Sequence, residues 1–592
     1  MRFVISFLWQ SSYRIDNSPA SFRFSPTFMT RISAVSLAVL TLGAASFYFR
    51  SDVARETDSG GIADNYSNIH PEDYVGPENC QRCHAEQYSD WQSHPHSRMN
   101  LDASADSVVG DFGDRRVEYG NGSVLFHRDG KRFLMSLYEG DELTREYTVT
   151  RTVGSRVTQM YIGLQTVGPE PESHNAYHVE GKLPFGFWMT HDLWTPVSYF
   201  DSAYEPEPDD GSQRMERLGH HQKDIKWETN CLYCHNTYAY QHRVHFGLLT
   251  GFPPEDFQFP DGARSVEKWG ALTPDKLVVM GISCESCHFG GREHVEHGRR
   301  TRYYPTSTDL KLRSAATNAN ASDSHIDRIN SICSQCHCAK VQQYPNGAAT
   351  WNSREALDLQ SGACGSAISC TDCHNPHRSG IHGGLASETQ TVATCIECHQ
   401  QFNNPETLTQ HTRHSPESVN CLDCHMPRIV QGLTKVLRTH HISSPTDEGM
   451  LRMGGPNACN LCHLDKPISW TVTELNLGWR AGISLNGRWT RQYGRSLSRP
   501  VGDVWLQNDQ PVVRLVVSDA CARSGRPLAE FPELLDYLKD PYSVNRMFGM
   551  FAVERKLGRR LTEAEYSPLA GHSERVRMVD ELKQRLVEPE AD

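Results

Sequence analysis

Apolar and polar residues alternate with a period of two between Val117 and Gly154, which is the periodicity of a strand with one buried face. Two turn signals, Asp129-Gly130 and Glu139-Gly140-Asp141, divide this stretch into three runs that are rich in β-branched and aromatic residues. The pattern predicts a small antiparallel β meander, which forms the core of a β-rich insertion at about 115–200.

Helical periodicity is found on both sides of this insertion. Tyr88 and Trp91 follow His84 at i+4 and i+7, so a short helix would carry all three rings on one face. Residues 466–592 predict a C-terminal domain of amphipathic helices, a HEAT-like helical cap, because a set of positions recurs 32 residues later. The recurring positions are Leu506, Val512, Arg514 and Arg523, and then Leu538, Val544, Arg546 and Arg555.

The N-terminus has a different pattern. Ile32–Phe49 is mostly apolar and follows Arg31, which fits the apolar region of a secretory signal or a short membrane anchor. Residues 1–50 are therefore predicted to be a signal peptide or an anchor, with the true start at either Met1 or Met29. The polar residues 51–75 read as a linker.

Cysteine spacing is the strongest chemical signal, because 16 of the 19 cysteines occur in the pentapeptide C-x-x-C-H. Composition alone would give roughly 0.03 copies in a chain of this length, whereas eight are present. They are Cys80, Cys83 and His84; Cys231, Cys234 and His235; Cys284, Cys287 and His288; Cys333, Cys336 and His337; Cys370, Cys373 and His374; Cys395, Cys398 and His399; Cys421, Cys424 and His425; and Cys459, Cys462 and His463.

The pentapeptide is typical of covalent haem attachment. Two thiols at this spacing add across the vinyl groups of one haem, and the adjacent imidazole binds its iron. Zinc sites also use cysteine pairs, but they do not require a histidine directly after every second cysteine. A disulfide within each pair would be a strained redox bridge rather than a structural link. The motifs therefore predict eight c-type haems, with thioether bonds to the 16 cysteines and with the eight motif histidines as proximal iron ligands.

Composition agrees with a core built largely of porphyrin. The hydrophobic content of 38% and the mean hydropathy of −0.55 are low for a chain of 592 residues with one large core. We therefore expect a mainly α fold with much irregular structure around covalent haems, in an octahaem domain at 76–465. The aromatic residues of 155–200 either wall a haem or pack the meander against the haem region.

Charge and haem chemistry together bound the partners and the compartment. The net charge of −12 argues against a nucleic-acid partner. Thioether attachment of haem takes place outside the cytoplasm in bacteria, so the expected location is periplasmic or extracytoplasmic, secreted or anchored by the N-terminal segment. The acidic stretch Asp201–Asp210 could dock a basic redox partner or simply be an exposed loop.

Residues after the first motif resemble a known family. Tyr88-x-x-Trp91-x-x-x-x-His96 resembles the opening of the cytochrome c554 and c-prime-like family of multihaem cytochromes. The resemblance implies that His96 is a distal haem ligand. His94 is the alternative, because Pro95 between the two histidines leaves only one of them free to point at iron.

Four further segments extend this resemblance. Phe289-Gly290-Gly291 after the third motif replaces the Gly-Pro-Gly of the family, and the fifth motif continues as C-H-x-P-H. Segments before and after the seventh motif are similar to H-x-x-x-S and R-x-H in the family. The resemblance implies distal ligand roles for His294, His377, His414 and His440.

Five distal ligands for eight irons leave three haems to other histidines. For any single one of these histidines an ordinary surface role is favoured over iron ligation. They include His174, His178, His191, His220, His221, His242, His245, His297 and His325. Outside the motifs, Cys338 and Cys364 either form a disulfide or stay as thiols. Cys521 is predicted to be a small buried apolar residue in a helix.

Two functions fit a chain of this kind. Haems with histidine on both faces offer no open iron and would only pass electrons, to redox proteins or a quinol-linked membrane complex. A multihaem oxidoreductase that acts on a small nitrogen or sulfur compound would need one haem with an open position. No C-x-x-C-K variant is present, so the electron carrier is favoured, and the sequence names no catalytic residue.

Overall fold

The computed structural model describes residues 66–119, 122–196, 226–244, 272–308, 325–378, 386–494, 497–530 and 532–586. The predicted signal or anchor, the acidic stretch at 201–210, and the histidines at 220, 221 and 245 lie outside these ranges. Among the helices of the described ranges, none has the length and apolar character needed to cross a membrane.

An antiparallel sheet of eight strands dominates the N-terminal part. Seven strands follow one another in chain order, and the short first strand pairs with the end of the fifth. The strands are β1 (Asn100–Asp102), β2 (Arg115–Tyr119), β3 (Gly122–Asp129), β4 (Arg132–Glu139), β5 (Glu142–Val153), β6 (Thr158–Val167), β7 (Gly181–Trp188) and β8 (Leu193–Pro196).

The predicted meander is present, but the prediction of a small meander in a mainly α fold was wrong. Three further strands occupy the aromatic-rich stretch, so the described fold mixes a large sheet with many short helices. The strand β7 escaped detection because its last six residues, Leu183–Trp188, are all buried. A strand that is buried on both faces loses the period-two pattern by which strands are recognised.

The aromatic residues of this stretch pack within the sheet. The indole of Trp194 stacks on Phe126 with ring centres 3.7 Å apart. Phe112 meets Trp194 and Tyr161 edge to face, at 5.3 and 5.6 Å. These rings form one end of an apolar core that continues through Leu464 of the haem-motif region into the C-terminal helices.

Two-stranded ribbons and short helices make up the haem-motif region. The ribbons pair β9 (Asn236–Tyr238) with β10 (Leu277–Met280), and β11 (Arg428–Gln431) with β12 (Val436–Arg438). Its helices are α1 (Pro77–Gln81), α2 (Ala85–Ser93), α3 (Trp227–Asn230), α4 (Leu232–His235), α5 (Cys284–His288), α6 (Arg292–His297), α7 (His325–Ser334), α8 (Glu355–Ser361), α9 (Glu388–Cys398), α10 (Pro405–Thr412), α11 (Cys421–His425) and α12 (Glu448–Arg452).

Longer helices follow the last motif: α13 (Ile468–Trp479), α14 (Thr490–Tyr493), α15 (Val501–Leu506), α16 (Pro511–Arg523), α17 (Pro532–Asp536), α18 (Ser543–Leu557) and α19 (His572–Leu586). Single 3₁₀ turns occur at Pro71–Asp73, Asn175–Tyr177, Pro274–Lys276, Cys370–Asp372, Gln400–Asn403, Leu528–Glu530 and Tyr537–Lys539.

The predicted 32-residue recurrence appears in the contacts of the C-terminal helices. Arg514 on α16 donates to the carbonyl oxygen of Asn508 at 2.6 Å, and Arg546 on α18 donates to that of Asp540 at 3.0 Å. Both helices are buried on nearly every side, so the expectation of amphipathic helices was wrong. The reason is that α18 lies between α16 and the large sheet, where Phe551 stacks on His191 with ring centres 3.6 Å apart.

Candidate haem centres

Each pentapeptide forms a single helical turn. In six motifs the backbone N–H of the histidine donates to the carbonyl of the first cysteine, as in His84 (2.9 Å), His337 (3.0 Å) and His235 (3.2 Å). The third and seventh motifs are the helices α5 and α11 themselves. One turn places both thiols and the imidazole close together along one side of the backbone, which is the arrangement that one porphyrin requires.

Five motif histidines each lie opposite a second histidine from another part of the chain. The distance between ring centres falls in the narrow range from 6.1 to 6.3 Å, although the paired residues come from unrelated local structures. The pairs are His84 with His294 (6.1 Å), His288 with His377 (6.1 Å), His374 with His440 (6.3 Å), His425 with His411 (6.1 Å), and His463 with His414 (6.1 Å).

This spacing fits one metal ion between two imidazoles. A metal–nitrogen bond of about 2 Å puts a ring centre about 3 Å from the metal, so two rings on opposite sides stand roughly 6 Å apart. Direct ring stacking would bring the centres much closer, as it does for Phe402 and His411 at 4.5 Å. The donor set therefore fits an iron with two axial histidines, and a haem would add the porphyrin plane between them.

The structure brings four of the five predicted distal candidates into such pairs: His294, His377, His414 and His440. A fifth partner, His411, was not nominated from the sequence. It lies in the last turn of the helix α10, while His414 follows Arg413, whose φ of +58° turns the chain out of the helix. The two histidines therefore reach different motif histidines, and the sequence signal was simply a second histidine three residues before His414.

The remaining candidate, His96, lies next to His94 at the end of α2. The ring centres of these two histidines are 4.7 Å apart, and Nδ1 of His94 accepts from the backbone N–H of His96. Burial is the main cause that lowers the pKa of His96 to about 3, with further contributions from the charges of His94 and His337. Of the motif histidines, His337 is thus the one whose charge affects the pKa of His96.

Several histidines of the open pool have other contacts. His191 stacks on Phe551, His174 caps the turn at Asn175–Tyr177, and His178 bonds the carbonyl of Glu172. In the described ranges, His235, His337 and His399 have no second imidazole with ring centres 6.1 to 6.3 Å away.

Hydrogen bonds connect the first motif to the third. Glu285, inside the third pentapeptide, is buried and accepts from the N–H groups of Val75, Gly76 and Gly291 at 2.8–2.9 Å. Gly290 is required here, because a Cβ at this position would lie 2.5 Å from Cβ of Asp73. The two segments therefore cross closely, and His294 reaches across to His84.

The fourth motif contacts both the second and the fifth. Arg243, close behind the second motif, donates to Sγ of Cys336 at 3.6 Å and to the carbonyl of Asn236 at 3.1 Å. Oδ1 of Asn330, on the helix that leads into the fourth motif, accepts from the backbone N–H and the thiol of Cys370 at 2.9 and 3.2 Å. Three cofactors bound to these motifs would be neighbours.

The sixth and seventh motifs are joined through one carboxylate. Glu388, at the start of α9, accepts from Arg438 at 2.8 Å and from Arg428 at 3.3 Å, and Arg438 also pairs with Asp423 inside the seventh pentapeptide. The hydrogen bond to Arg438 is the main cause that lowers the pKa of Glu388. The pairing of His414 with His463 then connects this region to the eighth motif.

The second nitrogen of an axial imidazole orients the ring. Backbone carbonyls accept from Nδ1 of His425 (Ser443, 2.9 Å) and, on the opposite faces, from His294 and His414 (both 2.7 Å). His337 differs, because Nδ1 lies 3.0 Å from the carboxylate of Glu355. Burial opposes ionisation of Glu355, but the hydrogen bond to His337 outweighs it and holds the pKa of the carboxyl at about 2.

The cysteines outside the motifs lie in separate surroundings. Cys338 is buried and close to Cys234, whereas Cys364 is half-buried and interacts with the thiol of Cys395. No disulfide joins Cys338 and Cys364 in the structure. Cys521 is fully buried within α16, as predicted from the apolar residues around it.

Comparison with known proteins agrees with haem as the cofactor. The family model described as cytochrome c552 matches residues 401–471, and the doubled CXXCH motif matches residues 364–404. The multiheme cytochrome MtrA of Shewanella baltica is 24% identical over 165 residues, which cover 24% of this chain and 49% of that protein. The chain thus spans about half the length of this curated relative.

Two solved structures are similar over most of the chain, but only weakly. The outer cell wall cytochrome OcwA shares 13% identity with a TM-score of 0.38, over 87% of this chain and all of that one. The octaheme sulfite reductase MccA of Wolinella succinogenes shares 12% with a TM-score of 0.31, over 89% and 86%. These scores are too low to transfer an arrangement of haems.

The pentapeptides and the matching family models indicate the same cofactor, c-type haem, and the spacing of the paired imidazoles fits it. On these grounds the chain is similar to multihaem c-type cytochromes.

Proposed function

We propose that this protein carries electrons through eight closely packed c-type haems, most of which have histidine on both faces. The observation that carries this proposal is the set of five imidazole pairs at 6.1–6.3 Å. An iron with two imidazole ligands has no position left for a substrate, so electron transfer is the chemistry that remains. We further propose that the protein is an octahaem cytochrome similar to the cytochrome c554 and c-prime-like proteins.

Contacts between motifs support a continuous path. The first motif adjoins the third, the second and the fifth adjoin the fourth, and the sixth adjoins the seventh. Axial histidines add the remaining connections: His377 ties the third haem to the fifth motif, His440 ties the fifth haem to the segment after the seventh motif, and His414 ties the eighth haem to the segment before the seventh. Every motif is thereby next to another motif, as electron hopping requires.

The same proposal places the protein in the periplasm or another extracytoplasmic space. Covalent haem attachment supports this location, as does the apolar segment Ile32–Phe49, which would direct export or anchor the chain. Partners would be redox proteins or a quinol-linked membrane complex, and the net charge of −12 favours partners with a basic docking surface.

Haem counting and EPR test this proposal on the purified protein. We expect eight haems per chain by pyridine haemochrome assay, and peptide mass spectrometry should find one on each cysteine pair. EPR should show mainly low-spin ferric haem. Fewer haems, or several high-spin haems that bind cyanide in the wild-type protein, would contradict it.

One observation favours a second candidate function, a multihaem oxidoreductase that acts on a small nitrogen or sulfur oxyanion at the second haem. Arg243 is 3% exposed and, in the described ranges, its hydrogen bonds go to neutral atoms of Gln335, Cys336 and Asn236. A buried cation is costly without an anion. The anion could be a haem propionate or, if the second haem has an open position, a bound oxyanion.

Replacing Arg243 with methionine separates these roles. If an oxyanion binds there, the variant should lose at least tenfold in reduction of nitrite or sulfite with all haems retained, since charged hydrogen bonds contribute about 1.5–3 kcal/mol. Arg151→Gln is the matched control, because Arg151 lies over Trp227 nearby and already has Asp102 and Glu180 as partners. A wild-type protein without such activity would rule out the oxidoreductase.

A further inference from the structure

The fourth motif differs from the others in what holds its histidine. Nδ1 of His337 lies 3.0 Å from Oε2 of Glu355, whereas the corresponding acceptors at His425, His294 and His414 are backbone carbonyls. A carboxylate is a charged acceptor and makes a hydrogen bond roughly twice as strong as a neutral one. This raises the basicity of the ligated imidazole.

Glu355 is built into this position by several contacts. It is the first residue of α8, and the next N–H, that of Ala356, donates to the carbonyl of His337 at 3.1 Å. The other carboxylate oxygen, Oε1, accepts from the N–H of Ser353 at 2.8 Å. Ser353 has a φ of +74°, in the left-handed region that favours glycine. A non-glycine residue in this conformation is strained, and such strain concentrates at functional sites.

The carboxylate of Glu355 pairs with the side chain of His337. Arg354, beside it in sequence, pairs with Asp358 at 3.6 Å. Glu355 and Arg438 line a small cavity together with His440, which faces His374 of the fifth motif. The carboxylate therefore stands between an axial histidine of the fourth haem and an axial histidine of the fifth.

We propose that Glu355 is a positioning residue that sets the reduction potential of the fourth haem. Among the haems of the eight motifs, the fourth is then the one whose ferric state is stabilised most. A carboxylate hydrogen-bonded to the axial ligand increases electron donation to iron, and its negative charge favours Fe(III) over Fe(II). An electron on the fourth haem would then pass readily to the fifth, which is its neighbour through Asn330 and Cys370. This inference rests on the proposed function, because it requires a haem on the fourth motif.

Redox titration of the holoprotein, followed by optical and EPR spectroscopy, tests the proposal. In Glu355→Gln the amide oxygen can still accept from Nδ1 but the charge is lost. We expect one haem to shift to higher potential, with its ferric to ferrous ratio at the wild-type midpoint about tenfold lower, which corresponds to about 59 mV for one electron. The EPR signal of the same haem should change, because its axial ligand has become a weaker donor.

Two further variants keep the test decisive. Glu355→Asp retains the charge but moves it one methylene from Nδ1, so its shift should be smaller than that of Glu355→Gln. Asp358→Asn removes the other carboxylate of α8, which is buried and accepts from the N–H of Ala349 and not from an axial histidine. It should leave the fourth haem within a small fraction of the Glu355→Gln shift.

The outcomes distinguish this inference from the proposed function. Unchanged potentials in Glu355→Gln with all haems present would overturn the inference alone, as would an equal shift in Asp358→Asn. A wild-type peptide containing Cys333 and Cys336 that carries no haem, by mass spectrometry, would instead overturn the haem assignment on which both depend.

Discussion

Replacing His440 with alanine is expected to turn one low-spin ferric haem into a high-spin haem while every haem stays attached. The ring centre of His440 lies 6.3 Å from that of His374, and the thiols of Cys370 and Cys373 are not touched by the change. Loss of one imidazole leaves the iron with a single strong axial ligand, which does not support the low-spin state. EPR should show a new high-spin signal, and cyanide or CO should bind to one more haem per chain than in the wild-type protein.

The neighbouring histidine provides a matched control. His441 has Nδ1 3.1 Å from the hydroxyl of Ser361 and no motif histidine opposite its ring in the described ranges. His441→Ala should therefore leave the EPR spectrum and the cyanide binding unchanged. His414→Ala should act like His440→Ala but on the eighth haem. High-spin haem in His441→Ala, or its absence in His440→Ala, would contradict the assignment of axial ligands.

The covalent part of the site could be predicted from the sequence because it is local. A pentapeptide that needs only one helical turn contains its own geometry, as the hydrogen bond from His337 to Cys333 illustrates. The opposite histidines are different, since His294 and His440 face motifs that lie far away along the chain. Only the family resemblance nominated them, and their binding to iron is a proposal that the His440 experiment addresses.

The residues that sequence reasoning missed share one physical cause. His411 and His414 belong to one short segment, and only the left-handed turn at Arg413 makes them point to different motifs. A turn of this kind at a non-glycine residue has no sequence signal. Glu355 was missed for a related reason, because its contact with His337 depends on how α8 docks and not on any spacing within a motif.

The sheet shows the limit of hydrophobic periodicity in the same way. Strand β3 could be predicted because one of its faces is less buried than the other, whereas β7 is covered on both faces and reads as a run of apolar residues. What covers it is distant in sequence, since Phe551 of α18 contacts Trp188 with ring centres 5.0 Å apart. Because tertiary contacts bury both faces of β7, its sequence lacks the alternation of apolar and polar residues by which a strand is recognised.

The cross-pairing of histidines also has a consequence for assembly. Most axial pairs would join two segments that lie far apart along the chain, as His84 and His294 do. A haem attached to one segment and ligated by another acts as a cross-link, and this compensates for the modest apolar content of the haem region. The C-terminal helices, which have no motif, must instead be held by packing and by buried polar contacts.

Replacing Asp540 with alanine is therefore expected to destabilise the C-terminal helices by about 3–5 kcal/mol, the usual cost of removing one partner of a buried ion pair. Arg514 donates to both oxygens of this carboxylate, at 2.6 and 3.1 Å, and the two side chains are 11% and 2% exposed. Asp540 also accepts from the N–H of Tyr542 and from the amide of Asn545. The variant would leave Arg514 buried without its charge partner.

Hydrogen exchange monitored by mass spectrometry is the suitable measurement, because a large haem protein is not expected to unfold in one step. Exchange of backbone amides in α16 and α18 should become roughly 10²–10³ times faster, since each factor of ten corresponds to about 1.4 kcal/mol. Asp580→Ala is the control: Asp580 is exposed, its partner Lys539 lies 2.6 Å away, and surface ion pairs of this kind contribute little to stability.

The effect of Asp540→Ala should extend to the last haem motif but not to the first. Residues just after the eighth motif are bound to the start of α15, where the N–H groups of Val501 and Gly502 donate to the carbonyls of Lys466 and Leu464 at 3.0 and 2.9 Å. Loosening of the helices would weaken this attachment, so amides around His463 should also exchange faster. If Asp540→Ala and Asp580→Ala behave alike, the Arg514–Asp540 pair does not hold this domain together, and apolar packing alone must do so.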